Sequence, residues 1–361
     1  MKTCFRVRWV LSKAIFRFSE MHAPRSIVIV KLSAIGDVLH ALPAVVALKR
    51  SFPDAKIGWA VEGRAADVLA GHPAIDHLFS LQRGWLKSPK AVSAFRQQVR
   101  SYNADVTFDM QGLFKSMVGT MLSGARIRIG YSKPESREQS WLAYTRSVRP
   151  LASHVVDRHC ELLSPLGVSP ESIEFQMPEW PVSRSRVQAW LEEMQFQHPP
   201  IVLNPGAGWT SKLWPLERFA AVARNIQKIH GLQSLVVWGG SEERVMAEKI
   251  VAASEGAARM APPTSLQDLG EVCRLSRLCI SGDTGPLHLA AALGTPCVGL
   301  FGPVPASRNG PYGSQHVTVE PPEHLRPSWE DRKTDTESML GIEVADVVAA
   351  VNGQLARAVA A

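Results

Sequence analysis

Residues 279–303, CISGDTGPLHLAAALGTPCVGLFGP, contain the pattern that decides the fold of this chain. A short apolar run ends at Ser281, a polar glycine turn follows, small residues continue at helical spacing, and Gly294 precedes a second apolar run. This order predicts a strand, a turn, a helix and a second parallel strand. Such a turn places a carboxylate, a hydroxyl and unpaired N–H groups at a helix N-terminus, where a phosphate can bind. Taken alone, the segment fits a plain βαβ connection with a capped helix equally well.

Three further turns of this kind occur along the chain, and each follows an apolar run and precedes a helix pattern. They are Ser33–Asp37, Asn204–Lys212 and Trp238–Glu243. Ligands of open α/β sheets bind at the edge where the parallel strands end. The alternation of strand and helix patterns over 361 residues therefore predicts an α/β protein with two doubly wound, Rossmann-like domains facing a central cleft.

We divide the chain into four parts. Residues 23–180 and 181–340 form the two domains, because prolines and short polar residues cluster around residues 169–186 without a clear period. Residues 303–340 are proline-rich and charged, which predicts loop, and residues 341–361 predict a closing helix. Residues 1–22 are basic with apolar residues at helical spacing. This pattern predicts a membrane-surface helix, a disordered extension or a start misassigned upstream of Met21.

The composition excludes several classes of protein. No apolar run reaches the length that spans a membrane. The five cysteines are scattered without metal-ligand spacing, so we expect a reduced, cytoplasmic setting with no bound metal or cofactor. No GxGxxG sequence follows a strand pattern, which argues against a dinucleotide-dependent oxidoreductase. Most of the net charge of +7 lies in the first 20 residues, and we expect no nucleic-acid partner.

Five motifs in order make the chain resemble family 9 of the glycosyltransferases, the lipopolysaccharide heptosyltransferases. They are KLSAIGDVLH (31–40), DMQGLFKS (109–116), PGA (205–207) with KLWP (212–215), GGSE (239–242) and GDTGPLH (282–288). The likeness runs from about residue 26 to about residue 313. The QGLFKS run and the SRE segment at 136–138 are more similar to the type I branch of the family than to type II.

The resemblance implies a GT-B fold, with the acceptor on the first domain and the nucleotide sugar on the second. It implies an inverting transfer of heptose from ADP-heptose to the 3-deoxy-D-manno-octulosonic acid (Kdo) of the lipid A inner core. The enzyme would then be peripheral on the cytoplasmic face of the inner membrane. Inverting transfer needs a carboxylate that takes the proton of the acceptor hydroxyl. Asp37 matches the catalytic base of the family, and capping of the following helix is its alternative role.

The resemblance also implies a donor site on the second domain. Lys212, with Thr210 and Ser211 beside it, would offset the charge that grows on the diphosphate as the bond breaks. The helix terminus at Thr284 and Gly285 would supply N–H donors to the same group.

Five more residues match donor-binding positions of the family. Glu242 matches the residue that binds the ribose, and Thr264 and Leu266 lie where the family packs adenine. Asp283 and His288 match residues near the transferred sugar and the phosphates. Each has a plainer alternative, such as an exposed helix-start Glu, a core leucine or a structural histidine.

An anionic acceptor requires a basic site on the first domain. The acceptor-binding candidates are Lys31, Arg83, Lys87, Lys115, Arg137 and Arg158. Arg137 and Arg158 have the best support, because they lie in the SRE and HVVDRHCEL segments. Solvated surface charge is the alternative for the remaining candidates.

Other functions stay open at this stage. Ala207 and Gly208 stand where some type I enzymes carry two threonines, so another nucleotide sugar or another acceptor is possible. A GT-B sugar-nucleotide epimerase would need a second acid/base carboxylate pair, which the sequence does not identify. A non-catalytic anion-binding module would not need Asp37 as a base.

Overall fold

The computed structural model describes residues 23–360, so the predicted basic extension at residues 1–22 lies outside the described residues. Two six-stranded parallel sheets form the framework. The first contains β1 (Ser26–Val30), β2 (Lys56–Glu62), β3 (His77–Leu81), β4 (Val106–Asp109), β5 (Ile127–Tyr131) and β6 (Arg146–Val148). The second contains β7 (Ile201–Asn204), β8 (Ser234–Val236), β9 (Ala258–Met260), β10 (Leu278–Gly282), β11 (Cys297–Leu300) and β12 (Val317–Val319).

Both sheets are doubly wound around their first strand. The orders are β3-β2-β1-β4-β5-β6 and β12-β11-β10-β7-β8-β9. In each sheet the chain winds outward from a central strand to both edges, so a crevice opens at the carboxyl ends of the central strands. The residues of β1 and β10 are all buried, as expected for parallel strands that helices cover on both faces.

The helices fill the crossovers and the outer layers. Those of the first sheet are α1 (Ile35–Ser51), α2 (Ala65–Leu69), α3 (Pro89–Ser101), α4 (Phe114–Ser123) and α5 (Val155–Glu161). Those that follow are α6 (Pro181–Glu193), α7 (Leu216–His230), α8 (Ser241–Ala253), α9 (Leu266–Arg274), α10 (Gly285–Ala292), α11 (Ala306–Asn309) and α12 (Val344–Ala360). Within residues 23–360, none of them is long and apolar enough to cross a membrane.

The two sheets meet through α1 and α10, the helices that follow their central strands. All residues of α1 from Val38 to Leu48 are buried, because α5 and α10 cover it in addition to its own sheet. A second contact joins α2 to α9, where Gln267 donates a hydrogen bond to the carbonyl of Asp67 at 3.1 Å. The carboxyl ends of the two sheets are thereby held across one cleft.

The structure corrects two sequence-based expectations. The segment 303–340, predicted as loop, contains α11 and the strand β12. The sequence pattern also does not predict the strands β6 and β9, because three-residue edge strands are too short to show a period. The domain division at residues 180 and 181 stays a prediction, and in the structure this point is the start of α6, which packs against α9.

Candidate active site

Asp37 lies in the first turn of α1, directly after the carboxyl end of β1. Its side chain is exposed, and one carboxylate oxygen accepts a hydrogen bond from the N–H of Ala34 at 3.2 Å. This contact is a capping interaction from the third helical position, so the alternative role of the residue is also present. Within residues 23–360 this is the one hydrogen bond of the carboxylate, and its other oxygen can accept a proton from a bound hydroxyl.

The turn before α1 is braced by the second motif. The side chain of Gln111 accepts a hydrogen bond from the N–H of Leu32 at 2.7 Å. The ammonium of Lys115 donates to the hydroxyl of Ser33 at 3.1 Å and to the buried carboxylate of Glu62 at 2.6 Å. Lys115 is therefore neutralised by a protein carboxylate, and its predicted role in acceptor binding stays a prediction.

Asp109 is buried at the end of β4 and organises the DMQGLFKS segment. One of its oxygens accepts hydrogen bonds from the N–H groups of Gln111 and Gly112, both at 2.9 Å. The other accepts from the hydroxyls of Ser116 at 2.9 Å and Tyr144 at 2.8 Å. Burial raises the pKa of this carboxyl, and the hydrogen bonds oppose the rise. The segment thus supports the turn that carries the catalytic candidate.

Lys31 is buried at the end of β1, with only 5% of its surface exposed. Its ammonium donates to the carbonyl of Met110 at 3.1 Å. Burial lowers the pKa of Lys31, and the nearby carboxylates of Asp37 and Asp109 oppose that effect. Lys31 therefore supplies positive potential beneath the site, and its predicted contact with an acceptor anion stays a prediction.

A chain of four side chains crosses from the second domain to the first. The ammonium of Lys212 donates to Asp283 at 2.6 Å, and the second oxygen of Asp283 lies 3.0 Å from Nε2 of His288. Nδ1 of His288 lies 3.1 Å from Nε2 of His40 in α1. Three of these residues were predicted from the sequence, and the fold brings them into direct contact.

The electrostatics of these four side chains depend on Asp283. Burial alone would raise the pKa of Asp283, but the hydrogen bond from His288 and the charge of Lys212 hold it below its usual value. Burial also lowers the pKa of His40 well below its usual value, with further lowering from the neighbouring His288. When His288 is neutral, its Nε2–H donates to Asp283 and its Nδ1 accepts from His40.

Thr284 is the N-cap of α10, as predicted. Its hydroxyl lies 3.0 Å from the hydroxyl of Ser281 and accepts from the amide of Asn204 at 3.1 Å. The side chain is therefore committed to the turn, and the backbone N–H groups of the first helical turn are the donors available to an anion. A β-carbon on Gly285 would lie 3.1 Å from Cβ of Ile35, so this helix terminus adjoins the start of α1.

Thr210 and Ser211 form a 3₁₀ turn with Lys212. Thr210 is exposed, whereas Ser211 is buried and its hydroxyl has no hydrogen-bond partner among the described residues. Both residues line a cavity of about 480 Å³, to which Lys333 and Met339 also contribute. The turn therefore has the hydrogen-bond donors that a site for the diphosphate requires. Contact of these groups with a phosphate stays a prediction.

The ribose candidate Glu242 is exposed at the start of α8, whereas the adjacent Glu243 turns inward. The carboxylate of Glu243 accepts from the N–H of Gly239 at 2.7 Å. A β-carbon on Gly206 would lie 2.2 Å from this carboxylate, so a larger residue there would displace the side chain of Glu243. Burial raises the pKa of Glu243, and the hydrogen bond from Gly239 opposes the rise. Glu243 thus joins two of the glycine turns.

The adenine candidates lie at the start of α9. Thr264 is half-buried in the loop before the helix. Leu266 is the first helical residue and packs into the main hydrophobic core with 8% of its surface exposed. The structure thus gives Leu266 the core role that the sequence leaves as its alternative, and an adenine contact at either residue stays a prediction.

The acceptor candidates Arg83 and Lys87 are exposed at the first domain's rim. Lys87 ends the 3₁₀ turn Trp85–Lys87. The indole of Trp85 donates to Glu62 at 2.9 Å, which ties this turn to the carboxylate that also holds Lys115.

Arg137 and Arg158 lie closer to the cleft. The side chain of Arg137 is exposed and has no hydrogen-bond or ion-pair partner within residues 23–360, while its N–H donates to the carbonyl of Gly112 at 3.0 Å. Arg158 is 12% exposed and forms an ion pair with Glu135. Of these two arginines, Arg137 is therefore the one whose guanidinium is available to an anion.

Arg308 of α11 adds a cation from the second domain. Two hydrogen bonds dock its segment on α5: Nε2 of His154 donates to the carbonyl of Gly310 at 2.9 Å, and the hydroxyl of Tyr312 donates to Asp157 at 2.6 Å. Burial lowers the pKa of Arg308, and the neighbouring cations Arg158 and Arg137 lower it further, while Glu135 and Asp37 oppose them. Its guanidinium has no hydrogen-bond partner within the described range and lies 5.1 Å from the ring of Trp329.

Sequence reasoning missed three of these residues. His40 is the last residue of the first motif, and Glu243 directly follows the fourth motif, so the motifs themselves could have identified both residues. Arg308 had none, because its segment was interpreted as loop. In the part of the chain from 23 to 360, no group of three or more His, Cys, Asp or Glu residues is arranged to hold a metal ion.

Comparison with known proteins agrees with this geometry. A family model described as glycosyltransferase family 9 (heptosyltransferase) matches residues 92–339. The chain is 30% identical over 300 residues to lipopolysaccharide heptosyltransferase 1 of Pseudomonas aeruginosa, covering 81% of this chain and 82% of that protein. A family 9 glycosyl transferase of Veillonella parvula has a TM-score of 0.79 at 23% identity, over 92% of this chain and 97% of that one. The E. coli heptosyltransferase WaaC, solved with ADP, has a TM-score of 0.74 at 24% identity, over 91% and 99%.

The two facing Rossmann-like sheets and these matches define a glycosyltransferase with the GT-B fold. Within that class, the chain belongs to glycosyltransferase family 9, the heptosyltransferases. The fold class and the family predicted from the motifs are confirmed. The oxidoreductase and the non-catalytic module are therefore set aside.

Proposed function

We propose that this enzyme transfers heptose from ADP-heptose to the Kdo of the lipid A inner core, at the cytoplasmic face of the inner membrane. One observation carries the proposal: the exposed Asp37 lies in the first turn of α1 next to the α10 terminus, where Lys212, Asp283 and His288 are linked. The printed name of the Pseudomonas aeruginosa relative and the ADP bound to the E. coli enzyme support the choice of sugar and nucleotide.

The reaction is a single displacement at the anomeric carbon. The acceptor hydroxyl oxygen bonds to that carbon while its proton passes to the carboxylate of Asp37. The bond between the anomeric carbon and the diphosphate oxygen breaks on the opposite face, which inverts the configuration and releases ADP. The proton of the acceptor ends on the carboxylate and is then lost to water.

The leaving diphosphate gains negative charge as the bond breaks, so fixed positive groups near it accelerate the step. Lys212 and the first-turn N–H groups of α10 supply that charge. The ammonium of Lys212 is paired with Asp283, which keeps it at the helix terminus. His288 holds the other oxygen of Asp283, so the carboxylate stays in place when the phosphates bind.

The acceptor lies on the first domain, against Arg137 and the neighbouring Arg308. Neither guanidinium has a hydrogen-bond partner within residues 23–360. The positive charge of each lowers the pKa of the buried Lys31. Arginine suits this role because its planar guanidinium binds a carboxylate or phosphate through two hydrogen bonds.

The proposal is tested by incubating the purified enzyme with ADP-heptose and Kdo-lipid A and analysing the lipid by mass spectrometry. The expected product carries one heptose on Kdo, with inverted anomeric configuration by NMR. Lipid A without Kdo and UDP- or GDP-linked sugars should give no product. Equal transfer from another nucleotide sugar, or to a neutral sugar, would favour the alternative of a family 9 transferase with a different substrate. Epimerised ADP-heptose formed without acceptor would favour an epimerase.

A further inference from the structure

The helix α4 leaves two large apolar side chains exposed, although its Val118 and Leu122 pack against the core of the first domain. Its buried residues are all small or polar: Ser116, Gly119, Thr120 and Ser123. Phe114 and Met121, two helical turns apart, are 53% and 55% exposed. Because a surface helix of a soluble protein normally keeps its large apolar residues on the stripe that faces the core, Phe114 and Met121 lie outside the expected stripe.

The inward face has a local explanation. The hydroxyl of Ser123 accepts from Thr107 of β4 at 2.8 Å, and a β-carbon on Gly119 would lie 3.3 Å from Val30 of β1. Small and hydrogen-bonding residues therefore let α4 approach the sheet closely. Nothing in this packing requires phenylalanine or methionine on the outer face, so their presence needs another cause.

The apolar surface extends beyond the helix. The 3₁₀ turn Ser140–Ala143 packs against α4, and its Leu142 is 69% exposed. Exposed cations Arg126, Lys133 and Arg137 belong to the same stretch of chain. Residues 114–149 contain seven Lys and Arg but only two Glu, a local net charge of +5.

We propose that the α4 face, defined as Phe114, Met121 and Leu142, binds the surface of an anionic lipid bilayer. Apolar side chains that enter the headgroup region, surrounded by Lys and Arg, are the combination that holds peripheral proteins on such surfaces. This inference rests on the proposed function, because a lipid A acceptor keeps its acyl chains in a membrane.

The α4 face is continuous with the acceptor side of the cleft. The N–H of Phe114 donates to Glu138 at 2.9 Å, next to Arg137. The following residue, Lys115, reaches the hydroxyl of Ser33 in the turn before α1. A bilayer on the α4 face therefore lies beside the site where the acceptor sugar must meet Asp37.

Vesicle sedimentation without any sugar or nucleotide tests this assignment. The full chain should pellet with vesicles of phosphatidylethanolamine and phosphatidylglycerol, and should bind phosphatidylcholine vesicles at least about tenfold more weakly. The variant Phe114→Ser/Met121→Ser/Leu142→Ser should partition into the anionic vesicles at least about tenfold less. The matched control Val182→Ser/Ile229→Ser/Val245→Ser removes apolar residues that are 73%, 53% and 48% exposed elsewhere, and should bind like the parent.

A labelled variant keeps the test independent of folding effects. Met121→Cys in a Cys4→Ser background can carry a polarity-sensitive dye, because Cys160, Cys273, Cys279 and Cys297 are buried. Its emission should shift to the blue when the anionic vesicles are added, whereas a label at Ile229→Cys should not respond.

Undiminished vesicle binding by the triple variant would overturn the inference and place the anchor elsewhere, residues 1–22 included. Loss of self-association instead of lipid binding would identify the α4 face as a contact between copies, which also overturns it. Vesicle binding with no heptosyl transfer would contradict the proposed function alone. The triple variant should keep its transfer rate on a deacylated, water-soluble acceptor and lose rate only on acceptor in vesicles.

Discussion

His288 of α10 packs directly on Gly36 of α1, so that a β-carbon at Gly36 would lie 2.5 Å from Cδ2 of the imidazole. The two residues come from different domains and from two different motifs. Gly36 immediately precedes Asp37, and His288 holds Asp283 at 3.0 Å. A side chain at position 36 would therefore displace either His288 or the start of α1, which carries the catalytic candidate.

Gly36→Ala should lower turnover at least about tenfold, because small displacements of reacting groups are costly. Alanine favours the helix locally, so the melting temperature should change little unless the domains separate. Steady-state kinetics and thermal unfolding measure the two effects. Gly353→Ala in α12, where an added β-carbon meets nothing within 4 Å, is the control. Unchanged turnover in Gly36→Ala would show that the cleft tolerates the displacement.

Asp37→Asn should lower turnover by roughly 10²–10⁴-fold, as expected when a general base is removed. The asparagine oxygen can still accept from the N–H of Ala34, so the helix start and ADP affinity should be preserved. Asp67→Asn, an exposed acid in the first turn of α2, should keep normal turnover. Single-turnover rates and ADP titration distinguish these outcomes, and near-normal rates in a folded Asp37→Asn protein would remove the assignment.

Lys212→Ala should weaken ADP-heptose binding by about 1.5–3 kcal/mol, the range for a charge-assisted contact. Adenosine, which lacks phosphates, should bind almost as well as to the parent. Calorimetric titration of both ligands measures the difference, with Lys228→Ala, an exposed lysine of α7, as the matched control. Equal losses for adenosine and ADP-heptose would contradict a diphosphate contact.

The buried His40 should make the fold sensitive to acid. Burial, with His288 and His154 nearby, lowers the pKa of His40 in the folded chain, so the unfolded chain binds its proton at higher pH. Stability is then lost as pH falls below about 6.5, by about 1.4 kcal/mol per pH unit for one such group. His40→Gln keeps a donor for His288 and should show a slope shallower by about one proton between pH 6.5 and pH 5.

Urea unfolding at several pH values measures that slope. His198→Gln, an exposed histidine, is the control. His159 is also buried, and burial lowers its pKa well below the usual value, so part of the acid sensitivity should remain in His40→Gln. An identical slope in the parent and His40→Gln would show that His40 is not a source of it.

Arg308→Ala and Arg137→Ala should each raise the acceptor Michaelis constant by about tenfold, the effect of losing one charged hydrogen-bonding group. Donor affinity should stay constant, because both residues adjoin the acceptor side of the cleft. The control is Arg357→Ala, which removes an exposed arginine near the end of α12. Acceptor kinetics at several salt concentrations test the same point, since exposed charges are screened. A change in ADP affinity alone would place Arg308 in the donor site.

Local patterns explain why much of the fold followed from the sequence. The central strands β1, β7 and β10 are short, mainly apolar runs that end in polar turns with glycine, a pattern typical of buried parallel strands. The short edge strands β6 and β12 lack such a run, because one of their faces is open to solvent and needs no apolar residue. They could be located only by their pairing with β5 and β11.

The sequence by itself determined the class of fold, the family and the turns that carry Asp37, Lys212 and Asp283, because each depends on residues adjacent in the chain. The tertiary structure alone decided which side chains meet across the cleft. The contact of His40 with His288 and the approach of Arg308 to Arg137 join residues far apart in sequence. Such pairings depend on how two folded domains dock, and no local pattern of hydrophobicity or turn residues encodes that geometry.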